Sequence, residues 1–558
     1  ERLYLDRGLR GQKTVGLLLH LLSASVLYLL ARRLARGAGV EGSIPALAVA
    51  GLWLTLPLLL STTLYVVQRM TLLAALFSLL SLLFYATGRD AQLQRRPALA
   101  WFVLCGLAFA LSALSKENGL LTLPLLTVLE LYIYRFRSSA NGLSRSLAVF
   151  HCAAFLLPLL AFLLLILLRP EFLFYGYAVR DFSLAERLLS QALILFDYLR
   201  QVVWVDVARL GVYHDDIAPV RSAASLPVVL ALLAWAGLAL FALVSAVTGK
   251  LRMAGFAVAF FLVAHAMEST VFPLELYFEH RNYLPTAGLL LGGVFALYRA
   301  VGRLPALESW LHLLLAVLLL RNLVLLGSQA MLWSDSRLLH LQAVVQHPDS
   351  RRAALELGRV FAQDGNLEGA LALLQQTQSL TRSPEVERQL LESVYYCMAN
   401  RPLPAGSFQI AGVSREQLAS VTLNNTVQHL TRLVLADKCA AGDGLRIADA
   451  LQGWVLGGGE PIGTPRLYGS LLLVENKLER YEQALQYAKL LTRREPDNAM
   501  GLQFTLYLAT RLQRADDAEQ AMAALIRLRD AGRLTRQEAA NLALFIDAPA
   551  DGAAAKPQ

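Results

Sequence analysis

The residues best suited to chemistry lie where charge is least expected. The octapeptide Phe278-Glu279-His280-Arg281-Asn282-Tyr283-Leu284-Pro285 sits between two apolar stretches, 253–266 and 286–297. An unpaired charge is costly in hydrocarbon, so polar islands of this kind line cavities or substrate paths. This one predicts a site at a membrane face. It offers a carboxylate, an imidazole, a guanidinium, an amide and a phenol in five consecutive positions, Glu279 to Tyr283, and Glu268 and Glu275 flank it. Similar islands occur at Gln68-Arg69 and at Lys116-Glu117-Asn118. Each has a structural alternative: Lys116 with Glu117 as an interfacial ion pair, Asn118 as a turn residue, Glu279 with Arg281 as a salt bridge closing the cavity.

A second polar group, His214-Asp215-Asp216, has side chains that could bind a metal, but no further ligands stand near it in sequence. Acceptor positioning or solvation is the preferred reading, and no metal is expected. The chain has no CxxC, HExxH, GxSxG or Walker phosphate loop. That argues against a zinc hydrolase, a serine hydrolase and an ATP-driven pump.

These groups must be positioned by membrane helices. The 558 residues are 56% hydrophobic, with a mean hydropathy of +0.48. Ten apolar runs fall near Thr14–Ala31, Ile44–Ser61, Thr71–Ala86, Ala98–Leu114, Gly119–Tyr134, Leu147–Leu168, Ala224–Val247, Met253–Met267, Leu284–Tyr298 and Leu307–Leu326. A spanning helix needs about 20 such residues, so about ten spans are expected within 1–330. Between runs, Ser183 to Val203 spaces its leucines on one helical stripe, with Glu186, Arg187, Asp197 and Arg200 elsewhere, and reads as an interfacial helix. His20, His151, His265 and Arg321 within runs are expected to pack or snorkel.

Charge sets the orientation. Five alternate loops hold 13 basic residues: Arg32, Arg33, Arg36; Arg89, Arg95, Arg96; Arg135, Arg137, Arg145; Lys250, Arg252; Arg299, Arg303. The intervening short loops hold only Arg69, Lys116 and Arg281, and the stretch from Arg169 to Ala223 balances seven acids against six Arg. By the positive-inside rule the first set is cytoplasmic, which puts every polar island and the carboxy-terminal region outside. The net charge of +9 is dispersed in this way, and no nucleic-acid partner is expected. An excess of Arg over Lys, with abundant Leu and Ala, suggests a bacterial genome and hence an inner-membrane protein with a periplasmic carboxy-terminal domain.

Beyond residue 330 the sequence becomes amphipathic and charged. Leu357, Gly358 and Phe361, followed by Gly365, Ala370 and Leu374, fit a 34-residue helix-turn-helix repeat. Tyr468 to Pro496, with Ala484 twelve residues before Pro496, gives a second unit, and Asn498 to Asp530 a third. The expected architecture is all-α: a polytopic membrane domain followed, over 331–547, by an α-solenoid of tetratricopeptide type, with loops at Pro402–Gly412 and Gly457–Gly463 and a disordered tail at 548–558. Its concave groove suits an acceptor or partner peptide. Cys397 and Cys439 fall in this domain, on the oxidising side, and a disulfide between them is expected. Cys105 and Cys152 read as packing residues within runs.

The stretch Tyr65 to Thr71 running into an apolar helix, the turn Leu114 to Gly119, the octapeptide at Phe278 and the trailing repeats occur in that order. Together they resemble bacterial multi-spanning tetratricopeptide proteins similar to the transmembrane and tetratricopeptide-repeat O-mannosyltransferases, over nearly the whole chain. The resemblance implies a GT-C type glycosyltransferase that uses a polyprenyl-phosphate sugar as donor substrate at the outer face, with no other cofactor required. Arg69, Lys116 and Arg281 would then bind the donor phosphate through charge-assisted hydrogen bonds. Gln68, Glu117, Asn118, Glu279, His280, Asn282 and Tyr283 would support them, and His214, Asp215 and Asp216 would face the acceptor. The family's catalytic carboxylate lies in the first outer loop. This chain begins at Glu1 without a Met, and that carboxylate is expected upstream of residue 1, so no catalytic residue is assigned. Two alternatives stay open: a non-enzymatic membrane scaffold whose repeats recruit envelope partners, and a transferase acting on a lipid-linked glycan.

Overall fold

The computed structural model describes residues 8–138, 142–302, 304–380, 385–408, 413–457 and 461–546. The expected tail at 548–558 lies outside the described residues. Two compact units emerge, Glu1–His347 and Pro348–Gln558. The boundary falls later than the change of composition near 330, because the amphipathic helix Ser336–Gln346 belongs to the first unit. Among the described residues there is no β-sheet, only an isolated bridge between Arg137 and Leu143.

The first unit runs α1 (Gly8–Ala38), α2 (Ile44–Leu54), α3 (Leu60–Leu64), α4 (Arg69–Leu93), α5 (Leu99–Ser115), α6 (Thr122–Leu129), α7 (Arg145–Leu168), α8 (Glu171–Phe174), α9 (Leu184–Val203), α10 (Leu226–Thr248), α11 (Arg252–His265), α12 (Tyr283–Val301), α13 (Pro305–Leu332) and α14 (Ser336–Gln346). Every apolar run is helical, but not every one forms a helix long enough to cross a membrane by itself. Among the described residues six helices, containing α1, α4, α7, α10, α12 and α13, are long and apolar enough to cross a membrane by length and composition. A seventh results if Ile44–Leu54 and Pro57–Leu64, bent by 52°, count as one span. α5 and α11 are shorter apolar helices, and the run from Gly119 is divided into a 3₁₀ turn, α6 and a π-helical turn at Glu130–Tyr134. A bent or subdivided helix still frees backbone groups, which only burial in protein or polar neighbours can satisfy within a bilayer.

Lipid contact accounts for the outer surface. The most apolar window of α7 is only 6% buried, and Leu157, Leu160, Leu164 and Leu167 are all exposed. So wide an apolar face is stable only against hydrocarbon. Inside, small hydroxyls join the helices where a larger side chain would hold them apart: Ser78 bonds Ser112 (2.9 Å) and Thr122 (2.7 Å), tying α4, α5 and α6 together. Cys105 is buried among them, whereas Cys152 is exposed on α7.

α9 differs from the expected interfacial helix. Its capping box joins Ser183 and Glu186, but its polar stripe points into protein, with Arg187, Ser190, Gln191 and Gln201 all buried. The irregular segment 266–278 is the reason. Its carbonyls need donors, and α9 supplies them.

The second unit is built of packed helix pairs, including Arg351–Gln363 with Leu367–Leu380, Pro465–Lys477 with Tyr481–Arg494, and Ala499–Arg511 with Ala515–Asp530. The three repeat-like units of the sequence each fall on one such pair. Leu357, Gly358, Ala370, Leu374 and Ala484 are buried at the helix contacts. Cys397 and Cys439 form a disulfide across 42 residues.

Candidate functional site

Segment 266–278 and the turn after it are shaped by donors from elsewhere. Arg187 of α9 donates from Nε to the Thr270 carbonyl (2.9 Å), from Nη2 to Glu268 (2.6 Å), and from Nη1 to Leu274 and Glu275 (3.2 Å for the latter). Gln191 donates to Leu276 (2.7 Å). Tyr198 accepts from the Phe278 amide and donates to its carbonyl, both at 3.0 Å. Burial lowers the Arg187 pKa to about 10, which leaves it charged at neutral pH.

Arg281 takes part in the same arrangement. Its side chain is buried, with Nη1 donating to the Leu276 carbonyl (2.8 Å) and Nη2 to Glu275 (2.5 Å), while its Nε has no hydrogen-bond partner. The alternative of a salt bridge between Glu279 and Arg281 is not taken up. Glu279 instead accepts from the Gly211 amide (2.6 Å) and stands 3.6 Å from His214 Nε2. The 3₁₀ turn Glu279–Asn282 therefore faces two ways, Glu279 toward the loop before α10 and Arg281 back onto its own preceding segment.

Lys116 likewise does not take up its structural alternative. It pairs with Glu268 (2.7 Å), 152 residues away, and not with Glu117, which is exposed and forms no ion pair among the described residues. Lys116 Nζ further donates to Thr71 (3.2 Å), whose hydroxyl donates to Gln68 (2.9 Å). Burial pushes the Glu268 carboxyl up, but Lys116, Arg281 and His280 outweigh it and hold the group down at about 2.

These side chains border a small cleft lined by Thr71, Ser78, Lys116, Asn118, His280 and Arg281 with apolar neighbours. The three polar islands of the sequence thus converge. Lys116, Asn118, His280 and Arg281 reach the cleft directly, and Gln68 acts through Thr71. Arg69 is half-buried at the first residue of α4 and does not line it. Tyr283 is a correction: it lies in the bundle interior, its hydroxyl bonded to His20 (2.7 Å) and its carbonyl to the Trp53 indole (3.0 Å). Asn282 is fully buried and donates to the Glu279 carbonyl (3.3 Å).

Glu279 lines a second cleft with Ser61, Gly211, Gln329, Trp333 and Gln346. Beside it, Asp216 bonds His347 Nδ1 (2.8 Å), and the rings of His214 and His347 meet edge-on at 5.3 Å. Burial raises the Asp216 pKa, but the His347 hydrogen bond and charge prevail and leave it below the usual carboxylate value. Asp215 is exposed. Among the described residues no group of three or more His, Cys, Asp or Glu is placed to hold a metal.

Sequence reading missed Arg187 and His347. In the sequence Arg187 stands only off the apolar stripe of an expected interfacial helix and His347 in no site, and nothing local to either residue signals its partners. In the second unit an open groove is lined by Gln428, Thr431, Arg432, Arg466, Ser470 and Asn498, among others. Comparison with protein-family models, curated proteins and solved structures finds no match to the chain.

Proposed function

We propose that the chain is a membrane glycosyltransferase of GT-C type that moves a sugar from a polyprenyl-phosphate carrier to a hydroxyl group of a periplasmic or surface protein. The observation that carries this reading is the cleft at the ends of the apolar helices, where Lys116, His280 and Arg281 meet and the buried Nε of Arg281 lacks a partner. A cationic cleft beside lipid-facing helices suits a ligand with a phosphate on an isoprenoid chain. In the reaction, the acceptor oxygen would bond to the anomeric carbon as the bond from that carbon to the phosphate oxygen breaks. The hydroxyl proton would pass to a carboxylate, and Lys116 and Arg281 would stabilise the departing phosphate. His214, Asp215 and Asp216 would border the acceptor, and the tetratricopeptide-like groove of the second unit would bind its polypeptide.

Binding of a polyprenyl-phosphate sugar to the purified full chain tests the donor assignment without requiring turnover. Arg281→Lys keeps a charge but loses the planar fork, so affinity should fall by roughly tenfold while melting temperature holds. Equal affinity for the uncharged polyprenol, or unchanged affinity in both Arg281→Lys and Lys116→Gln, would remove the phosphate reading. Transfer to a hydroxyl acceptor is then measured on the same preparations.

A further inference from the structure

The opposite end of the bundle gathers four arginines from three segments. Arg252, the first residue of α11, donates to the Gly37 carbonyl (3.2 Å), and Arg299 in the last turn of α12 donates to Ala38 (3.1 Å). Arg135 lies against Gly249, where an added Cβ would stand 3.1 Å from its Nη1. Arg137 is two residues further on, its carbonyl held by Arg89 Nη2 (2.8 Å). All of Arg135, Arg137 and Arg299 are within Coulombic reach of Arg252. Two glycines make the gathering possible. Gly39 (φ +68°) follows α1 and Gly249 (φ +73°) follows α10, and a side chain at Gly39 would collide with the guanidinium of Arg299.

Such a concentration of like charge raises the free energy unless an anion offsets it. Among the described residues no carboxylate is paired with any of the four arginines, while Asp90 is engaged by Arg33 and Glu130 by Arg89. The carbonyls ending α1 carry only partial negative charge and occupy one guanidinium nitrogen each of Arg252 and Arg299, leaving other donors unused. Alongside, Val247 and Leu251 are 73% and 71% exposed. Phosphate donors adjoining bare aliphatic side chains match a molecule that has a charged head and hydrocarbon tails. A free anion would make no use of the second feature.

We propose that Arg135, Arg137, Arg252 and Arg299 form a binding site for the headgroup phosphate of an anionic phospholipid, whose acyl chains cover Val247 and Leu251. The guanidinium forks grip the phosphate oxygens in pairs, and the lipid neutralises the cluster that α1, α10, α11 and α12 bring together. This site is separate from the donor cleft and does not rest on the glycosyltransferase reading.

Native mass spectrometry of the purified full chain, in micelles containing equal phosphatidylglycerol and phosphatidylcholine, tests the site. The wild type should retain phosphatidylglycerol selectively, and Arg135→Gln/Arg137→Gln should weaken that retention by roughly tenfold. Arg95→Gln/Arg96→Gln removes the same charge from exposed positions at the end of α4 and should change it little. Arg252→Lys, which keeps a donor for the Gly37 carbonyl, gives a second reading if the double variant melts early. Equal losses in the two double variants would mean general surface charge and overturn the proposal. So would equal retention of the zwitterionic lipid, or displacement of phosphatidylglycerol by stoichiometric inorganic phosphate.

Discussion

Two buried ion pairs, one at each end of the membrane unit, differ in how fully their polar groups are satisfied. Arg89 and Glu130 are 1% and 0% exposed, and Glu130 accepts from Arg89 Nε (2.8 Å) and Nη2 (2.9 Å), the Tyr85 hydroxyl (2.7 Å) and the Phe136 amide (3.0 Å). Lys116 and Glu268 are 12% and 8% exposed, Lys116 lines a cleft, and Arg281, whose Nε has no partner among the described residues, lines it too. The first network uses its donors and acceptors internally and fixes α4 to the turn after α6. The second leaves capacity over, which is what a site for a charged ligand requires.

The largest effect should come from the closed pair. Glu130→Ala strands a buried guanidinium, and loss of a buried partner costs about 3–5 kcal/mol, so the variant should express poorly or melt far below the wild type in detergent. A variant that melts normally would show that the network is dispensable.

Lys116→Met should have an intermediate effect and reverse a pH dependence. In the wild type Glu268 is lowered from its ordinary 4.5 to about 2, so its contribution is complete above 4.5 and is lost as pH falls toward 2. Without Lys116, burial dominates and the carboxyl pKa rises, so the variant should gain stability relative to wild type on acidification from pH 7 to 4. Melting curves of both proteins over that range decide it, and parallel curves would mean that Lys116 does not govern Glu268.

The smallest effect belongs to Glu117→Gln. An exposed carboxylate without an ion pair should change stability by less than about 0.5 kcal/mol, against the interfacial pair anticipated from its sequence neighbour. A loss comparable with that of Lys116→Met would restore Glu117 to the site.

Elements that depend on local pattern were legible in the sequence. Apolar runs marked all the membrane helices, and Leu357, Gly358 and Ala370 marked a helix pair. The convergence of Lys116, Asn118, His280 and Arg281 was legible as a shared face, because each interrupts an apolar run. Their partners were not. Lys116 finds Glu268 at a separation of 152 residues, and Arg281 turns to the carbonyls of Glu275 and Leu276, which it shares with Arg187 and Gln191, because that irregular backbone cannot satisfy its carbonyls within its own segment. Helix breaks were not legible for a related reason: hydropathy registers the run from Gly119 but not its division around Glu130, where the buried Arg89 contact is made.

The donors that shape residues 266–278 have an evolutionary consequence. Arg187, Gln191, Tyr198 and Arg281 grip the segment by its main chain, through the carbonyls of Glu268, Thr270, Leu274, Glu275, Leu276 and Phe278. Main-chain groups are the same whatever side chains they carry. Tyr177 and Arg180 hold the Val271 and Pro273 carbonyls in the same way, so positions gripped only by the main chain can change side chain while the path of the chain stays constant; Glu268, Leu276 and Tyr277, whose side chains are buried, are not released.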